Sequence, residues 1–224
     1  MNSNLAQYLQ TTEVIDYNHP TVKAFVQKRI EGASTPRQQA VKLYYAVRDE
    51  IWYDPYSIDL SVEGLRASTT LQTGRGWCVP KAALLSACCR SLGIPAKLGY
   101  ADVRNHLSTA RMRENMKTDI FLWHGYTTIL LDGKWVKATP AFNIELCHRF
   151  QLKPLEFDGT YDSIYHPFDL LGNRHMEYLR DRGEFADIPI DQIIKDFSDT
   201  YGSPQQLGAF DFQKDVDKEN PLAK

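Results

Sequence analysis

Residues 74–92 read GRGWCVPKAALLSACCRSL, and this stretch decides the fold. Two glycines open it, and apolar residues then recur at helical spacing until a Gly-x-Pro stop. Because residues 78–92 are apolar on most sides, they predict a helix buried within the protein. Cys78 would lie in its first turn, where free backbone N–H groups and the helix dipole favour a thiolate, and Lys81 would add positive charge. Cys78 is therefore a candidate nucleophile.

The region before this stretch predicts two helices and a loop. Residues 35–53 have helical apolar spacing, with Ser34 or Thr35 as a cap and Pro36 in the first turn. A shorter helix is expected around residues 22–30. Residues 54–75 are polar and contain glycines, which predicts an irregular surface loop.

After the buried helix the periodicity changes to that of strands. An antiparallel hairpin is expected around the turn Asp132-Gly133, preceded by one further strand. The predicted elements after residue 95 are strands at 96–103, 121–131 and 134–138, a helical excursion within 105–117, short strands near 151–157, an amphipathic helix at 191–201 and a mobile charged tail.

A reactive thiol needs a partner that takes and returns a proton near neutral pH, and histidine has the appropriate pKa. The chain contains six histidines. His124 lies within a predicted strand, where a rigid backbone would hold the ring, and Gly125 leaves room beside it. His124 is therefore the candidate base, and the following strand can present a third group to the same ring.

The order of these features resembles the transglutaminase-like cysteine superfamily. GRGWC ends at Cys78, His124 follows in a strand, and residues 132–140 read DGKWVKATP. The resemblance covers residues 35–143 and implies an α+β, papain-like fold in which a nucleophile helix packs on an antiparallel β-sheet. It also implies acyl transfer on the amide bonds of a peptide or protein substrate, by hydrolysis or transamidation, with no cofactor.

One position departs from the family pattern. Members usually carry an aspartate just before the proline that ends this region, and here the matching residue is Thr139. Threonine accepts a hydrogen bond but brings no negative charge to the imidazole. Asn143 and Asp119 are alternative third members. Two hypotheses are therefore consistent with the sequence. The chain is either an enzyme or a catalytically lapsed module that binds a peptide or protein partner.

Four further groups are candidates for an oxyanion site and a substrate cleft. The backbone N–H of Cys78 is the natural oxyanion donor in such a fold, and the side-chain amide of Gln72 is a second candidate. Trp77 and Trp123 flank the two reacting residues in sequence and are expected to form apolar walls.

Composition narrows the range of partners. The 224 residues include 26 basic and 28 acidic side chains, a formal net charge of −2. This charge balance does not favour binding to nucleic acid or to an anionic membrane. No run of about 18 apolar residues predicts a membrane span, and residues 1–10 lack signal-peptide features, so a cytoplasmic protein is expected.

The other cysteines suggest packing rather than chemistry. Cys88, Cys89 and Cys147 are interpreted as small buried hydrophobic residues, and adjacent cysteines do not readily form a disulfide. Cys78 and His124 alone are too few ligands for a structural zinc site, so no metal is expected.

The length suits one domain with extensions. Residues 1–34 are expected to form an N-terminal helical extension, residues 35–143 the transglutaminase-like catalytic core, and residues 144–224 the part that completes the same domain, with a mobile tail. A chain of this size buries enough surface to fold without disulfides. The oligomeric state is left open.

Overall fold

The structure is a computed structural model that describes residues 5–105, 108–165, 168–172, 174–202 and 210–219. A short 3-10 helix covers Ala6–Leu9, and the helices are α1 (Pro20–Arg29), α2 (Pro36–Glu50), α3 (Val62–Leu65), α4 (Ala67–Thr73), α5 (Cys78–Ser91), α6 (Ala110–Met116), α7 (Ile144–Arg149), α8 (Ile190–Tyr201) and α9 (Phe212–Glu219). The strands are β1 (Trp52–Tyr53), β2 (Arg75–Gly76), β3 (Ala96–Asn105), β4 (Ile120–Leu131), β5 (Lys134–Ala138) and β6 (Met176–Phe185).

Helix α5 packs on an antiparallel sheet with the strand order β5-β4-β3-β6. Every residue of α5 from Cys78 to Arg90 is buried. Its main sheet contact is β4, where the Thr127 hydroxyl donates to the Ala82 carbonyl at 2.8 Å, and α2 and α4 pack on its other sides. The α+β architecture predicted from the apolar helix and the hairpin is confirmed.

Helix α2 begins where its capping sequence predicts. Thr35 and Gln38 form a capping box, and Pro36 occupies the first turn. The helix ends at Glu50, earlier than expected, because the next residues form β1. This short strand pairs in parallel with β2, Trp52 opposite Arg75 and Tyr53 opposite Gly76. The end of α2 is thereby tied to the segment that leads into Cys78.

The prediction of a surface loop over residues 54–75 is wrong for the second half of this segment, which forms α3 and α4. Leu65 and Ala67 are buried, and α4 packs against α5. The polar residues that suggested a loop act as helix caps: Ser61 accepts from the Gly64 N–H at 3.0 Å, and Gly74, at a φ of 65°, ends α4.

The strand predicted near residues 151–157 is also wrong. This segment is irregular, although Leu155 and Phe157 are buried. The Leu155 carbonyl accepts from the hydroxyl of Tyr44 at 2.9 Å and the guanidinium of Arg48 at 2.6 Å, so α2 takes the place of a neighbouring strand. The strand at the edge next to β3 is instead β6, in which half of the residues are exposed and show no clear alternation.

The C-terminal region contains two helices. Helix α8 confirms the amphipathic prediction and buries Ile193 and Phe197. The expectation of a mobile tail does not hold for residues 212–219, because α9 buries Phe212 and Val216 against the rest of the protein. Residues 203–209 and 220–224 of the predicted tail lie outside the described residues. In the described part of the chain, no helix is both long enough and apolar enough to cross a membrane.

Candidate active site

Cys78 is the first residue of α5, and its side chain is buried. The residue before it, Trp77, occupies the N-cap position without a side-chain hydrogen bond, so no side chain competes for the first N–H groups of the helix. Backbone hydrogen bonding from Gly125, Val79 and Cys78 itself acts to lower the pKa of the thiol. The start of α5 and strand β4 therefore both favour the thiolate.

These donors do not make Cys78 a thiolate at neutral pH. Burial raises the pKa of the Cys78 thiol to about 11, and the three backbone hydrogen bonds only reduce that rise. Loss of hydration on burial therefore outweighs the helix start and favours a neutral thiol over the expected thiolate. Lys81 does not help either: its ammonium caps α2, donating to the carbonyls of Arg48 and Ile51.

Alkylation measures this protonation state. We expect iodoacetamide to label Cys78 at pH 7 at least about a hundredfold more slowly than a free thiol of pKa about 8.5, because so little thiolate is present. Mass spectrometry of the modified peptide gives the rate, which should keep rising between pH 7 and 10. A rate that is already constant near neutral pH would contradict a neutral thiol.

His124 lies in β4 opposite Ala101 of β3, and its ring is buried. Burial and, to a lesser extent, the charge of nearby His175 together lower the pKa of His124 to about 4. Its Nε2 has no hydrogen-bond partner among the described residues. At neutral pH the imidazole is therefore uncharged, which is the form that can accept a proton.

A β-bulge directly before His124 sets the direction of its side chain. Val103 pairs with Phe121 and Ala101 with His124, so two β4 residues, Leu122 and Trp123, lie opposite Asp102 alone. Trp123 adopts a φ of 58°, a conformation that non-glycine residues rarely take. The bulge puts Phe121 and His124, three positions apart, on the same wall of one cavity.

Buried charges hold this bulge in place. The Asp102 carboxylate accepts from the Trp123 N–H at 3.2 Å and from the Arg182 guanidinium at 2.8 Å. Arg182 also pairs with Asp196, which accepts from the Trp123 indole at 2.9 Å. The Trp123 ring packs on Tyr100. Trp123 was expected as a cleft wall, but it does not line the cavity and instead supports the strand that carries His124.

Gly125 allows β4 to approach the start of α5. A Cβ atom at this position would lie 3.1 Å from the Val79 Cα and 3.3 Å from the Cys78 carbonyl oxygen, closer than most real contacts. The room that Gly125 leaves is taken by the first turn of α5 rather than by the His124 ring. This close approach lets the Gly125 N–H reach the Cys78 thiol.

Cys78, His124 and Trp77 line the same cavity, which has a volume of about 960 Å³. Gln72 does not lie there: it is exposed on α4, so the structure provides no oxyanion contact from it. The cavity also has walls that sequence reasoning missed, including Tyr53 and Phe197. Only the amphipathic pattern of α8 pointed to Phe197, and no local signal identified Tyr53, which arrives through the pairing of β1 with β2.

The three candidates for a third catalytic group lie in different surroundings. Thr139 is buried, and its Oγ1 has no hydrogen-bond partner in the described part of the chain. The Asn143 amide accepts from the Tyr53 N–H at 3.1 Å and donates to Glu145 at 2.9 Å. Asp119 forms an ion pair with Arg104 at 3.1 Å. Thr139 is thus the candidate whose side chain is not engaged elsewhere.

The described residues contain no cluster of three or more histidine, cysteine, aspartate or glutamate side chains arranged to hold a metal ion. The four cysteines are buried free thiols, and three of them lie away from the cavity wall.

Comparison with known proteins gives a family match and two structural neighbours. No curated protein matches the sequence. A candidate cysteine protease from Cytophaga hutchinsonii is 17% identical with a TM-score of 0.48, over 62% of this chain and 43% of that one. A candidate protease from Parabacteroides distasonis ATCC 8503 is 16% identical with a TM-score of 0.39, over 62% of this chain and 27% of that one. This chain thus matches less than half the length of either neighbour.

The family match covers slightly more than half of the chain. Residues 23–140, more than half of the 224, match the transglutaminase-like superfamily. The matched range contains Cys78, His124 and the β4–β5 hairpin, and it ends with Thr139 and Pro140 directly after that hairpin. The chain belongs to the transglutaminase-like superfamily.

Proposed function

We propose that this protein transfers acyl groups from the amide bonds of a peptide or protein, with Cys78 as nucleophile and His124 as base. One observation carries the proposal: the thiol and the imidazole line the same cavity. Backbone N–H groups near the sulfur, which act to lower its pKa, are consistent with it. Family membership supports the same chemistry.

The protonation states suggest the order of events. The neutral thiol transfers its proton to the neutral imidazole on the wall of the same cavity as the sulfur attacks the amide carbon. The carbonyl oxygen becomes negatively charged, and the N–H groups around the sulfur are suited to stabilise it. The C–N bond then breaks, the amine leaves with the proton from His124, and the acyl group remains on sulfur as a thioester.

A second nucleophile completes the reaction. Water, losing a proton to His124, attacks the thioester and releases a carboxylic acid, while the sulfur takes the proton back. An amine in place of water gives a new amide by the same transfers. Hydrolysis and transamidation thus use the same residues and differ only in which molecule enters.

Thr139 is the proposed group that orients the imidazole. Its buried hydroxyl makes no hydrogen bond to another described group and is available to accept one from the ring, whereas the side chains of Asn143 and Asp119 have partners elsewhere. A threonine supplies no negative charge to an imidazolium. The base should therefore be weaker than in family members with an aspartate at this position.

Labelling with an electrophilic glutamine-peptide mimic tests the proposal. We expect Cys78→Ala to abolish labelling and His124→Ala to slow it at least about a hundredfold, because the thiol then lacks its base. Thr139→Asp should raise the rate. Cys147→Ala, which removes a buried thiol outside the cavity, is the matched control and should label normally. Labelling that persists in folded Cys78→Ala would rule out this nucleophile.

A catalytically lapsed binding module is the second candidate. The high pKa of the Cys78 thiol and the unpartnered Nε2 of His124 favour it. The two functions separate in one assay, because a binding module would retain a peptide without forming a thioester, whereas an enzyme would form the thioester and release an amine.

A further inference from the structure

The wall of the cavity that contains Cys78 carries almost no charge. Among the described residues, Asp59 is the single acidic side chain that lines it, and no lysine or arginine does. Its volume of about 960 Å³ is at the upper end of pockets that enclose small organic ligands. The space is therefore large enough for an acyl group together with its leaving amine.

Apolar side chains from separate elements form most of this wall. Trp77 lies beside the nucleophile, and its ring centroid is 6.0 Å from that of Phe197 on α8. Met112 and Met116 of α6 and Phe121 of β4 extend the apolar surface. Trp77, Met112 and Phe197 are almost fully buried, so the surface is already formed without a ligand. Methionine and aromatic side chains adapt to irregular apolar shapes.

Two arginines that adjoin lining residues in sequence are engaged elsewhere. Arg111, before Met112, pairs with Asp215 at 2.6 Å. Arg104, after Val103, pairs with Asp119 at 3.1 Å. An anionic group brought into the cavity would lose its hydration without gaining a counter-ion, which costs several kcal/mol or forces protonation.

We propose that this site selects amide substrates whose acyl side is bulky, apolar and uncharged, and that it disfavours substrates with a carboxylate or phosphate there. The reaction rests on the proposed thiol chemistry, but the preference rests on the cavity wall alone. Trp77, Phe121 and the two methionines hold the acyl side chain while its carbonyl lies against Cys78. Asp59, exposed at the rim, adds repulsion against anions.

A pair of compounds of similar shape tests the preference. N-acetyl-leucine 4-nitroanilide and N-acetyl-aspartate 4-nitroanilide differ mainly in side-chain charge, and Cys78→Ala allows binding to be measured without reaction. By calorimetry we expect the leucine compound to bind at least about tenfold more tightly, from burial of one aliphatic side chain. Equal affinity, tighter binding of the aspartate compound, or no binding of either would overturn the preference.

A second variant identifies the wall involved. In the Cys78→Ala background, Met116→Lys should reduce the leucine-to-aspartate ratio at least threefold, because it places a cation on the apolar wall. Met116→Leu should keep the ratio, and circular dichroism checks that both variants fold. An unchanged ratio in folded Met116→Lys would contradict the assignment of this wall to the acyl side chain.

Release of 4-nitroaniline by the parent protein separates the two proposals. Selective binding by Cys78→Ala without release by the parent would defeat the acyl-transfer function and leave the binding preference in place. Release from both compounds at equal efficiency would defeat the preference and leave the acyl-transfer function in place.

Discussion

Asp102→Ala is expected to lower the free energy of unfolding by about 3 kcal/mol, at the low end of the cost of breaking a buried ion pair, because Arg182 keeps Asp196 as a counter-charge. The Asp102 and Arg182 side chains are 8% and 10% exposed, so solvent can replace little of their interaction. The substitution also leaves the Trp123 N–H without its acceptor at the bulge. Urea denaturation at pH 7 measures the change.

Two further variants serve as controls for Asp102→Ala. Asp102→Asn keeps an acceptor for the Trp123 N–H and removes the charge, so it should cost less than Asp102→Ala. Asp199→Ala breaks the exposed ion pair with Lys195 and should cost under about 1 kcal/mol. If Asp102→Ala were as mild as Asp199→Ala, the bulge before His124 would not depend on these charges.

Acidification from pH 6.5 to pH 4 is expected to remove about 3 kcal/mol of stability through His124 alone, at about 1.4 kcal/mol per pKa unit. The pKa of His124 is lowered to about 4 in the folded protein, against about 6.5 when unfolded. The unfolded chain therefore binds the extra proton in this window. The contribution is fully present above pH 6.5 and is lost as the pH falls.

Carboxylates also titrate near pH 4, so the contribution of His124 to stability is isolated by comparing the parent with His124→Gln. Unfolding free energies of both proteins, measured from pH 7 to pH 4, should converge as the pH falls. His175 contributes to the low pKa of His124, so His175→Gln should raise that pKa, and the loss of stability should then be smaller and end at a higher pH. Parallel curves for the parent and His124→Gln would show that the ring ionises equally in both states.

The elements predicted most accurately are those in which local signals agree. The capping residues before α2, the apolar run of α5 and the Asp-Gly turn between β4 and β5 all match the structure. Strand β6 and helix α4 were missed because their exposed charges or capping residues resemble those of loops. Periodicity detects burial on one face, and it fails where an edge strand or a short helix lacks that pattern.

The candidate site divides in the same way. The sequence alone correctly predicted that Cys78 begins a buried helix and that His124 lies in a strand, and it shows a threonine directly before Pro140. These features depend on neighbouring residues and motif order. The protonation states of Cys78 and His124 depend on burial, which needs the contacts of the whole fold.

Tertiary structure alone decided the rest. It turned Lys81 away to cap α2, put Trp123 into a supporting network, and left Gln72 in solvent. It also assembled the uncharged cavity from segments distant in the chain. The physical reason is that side-chain hydration and counter-charges are set by residues far apart in sequence, whereas helix starts and turns are set by adjacent ones.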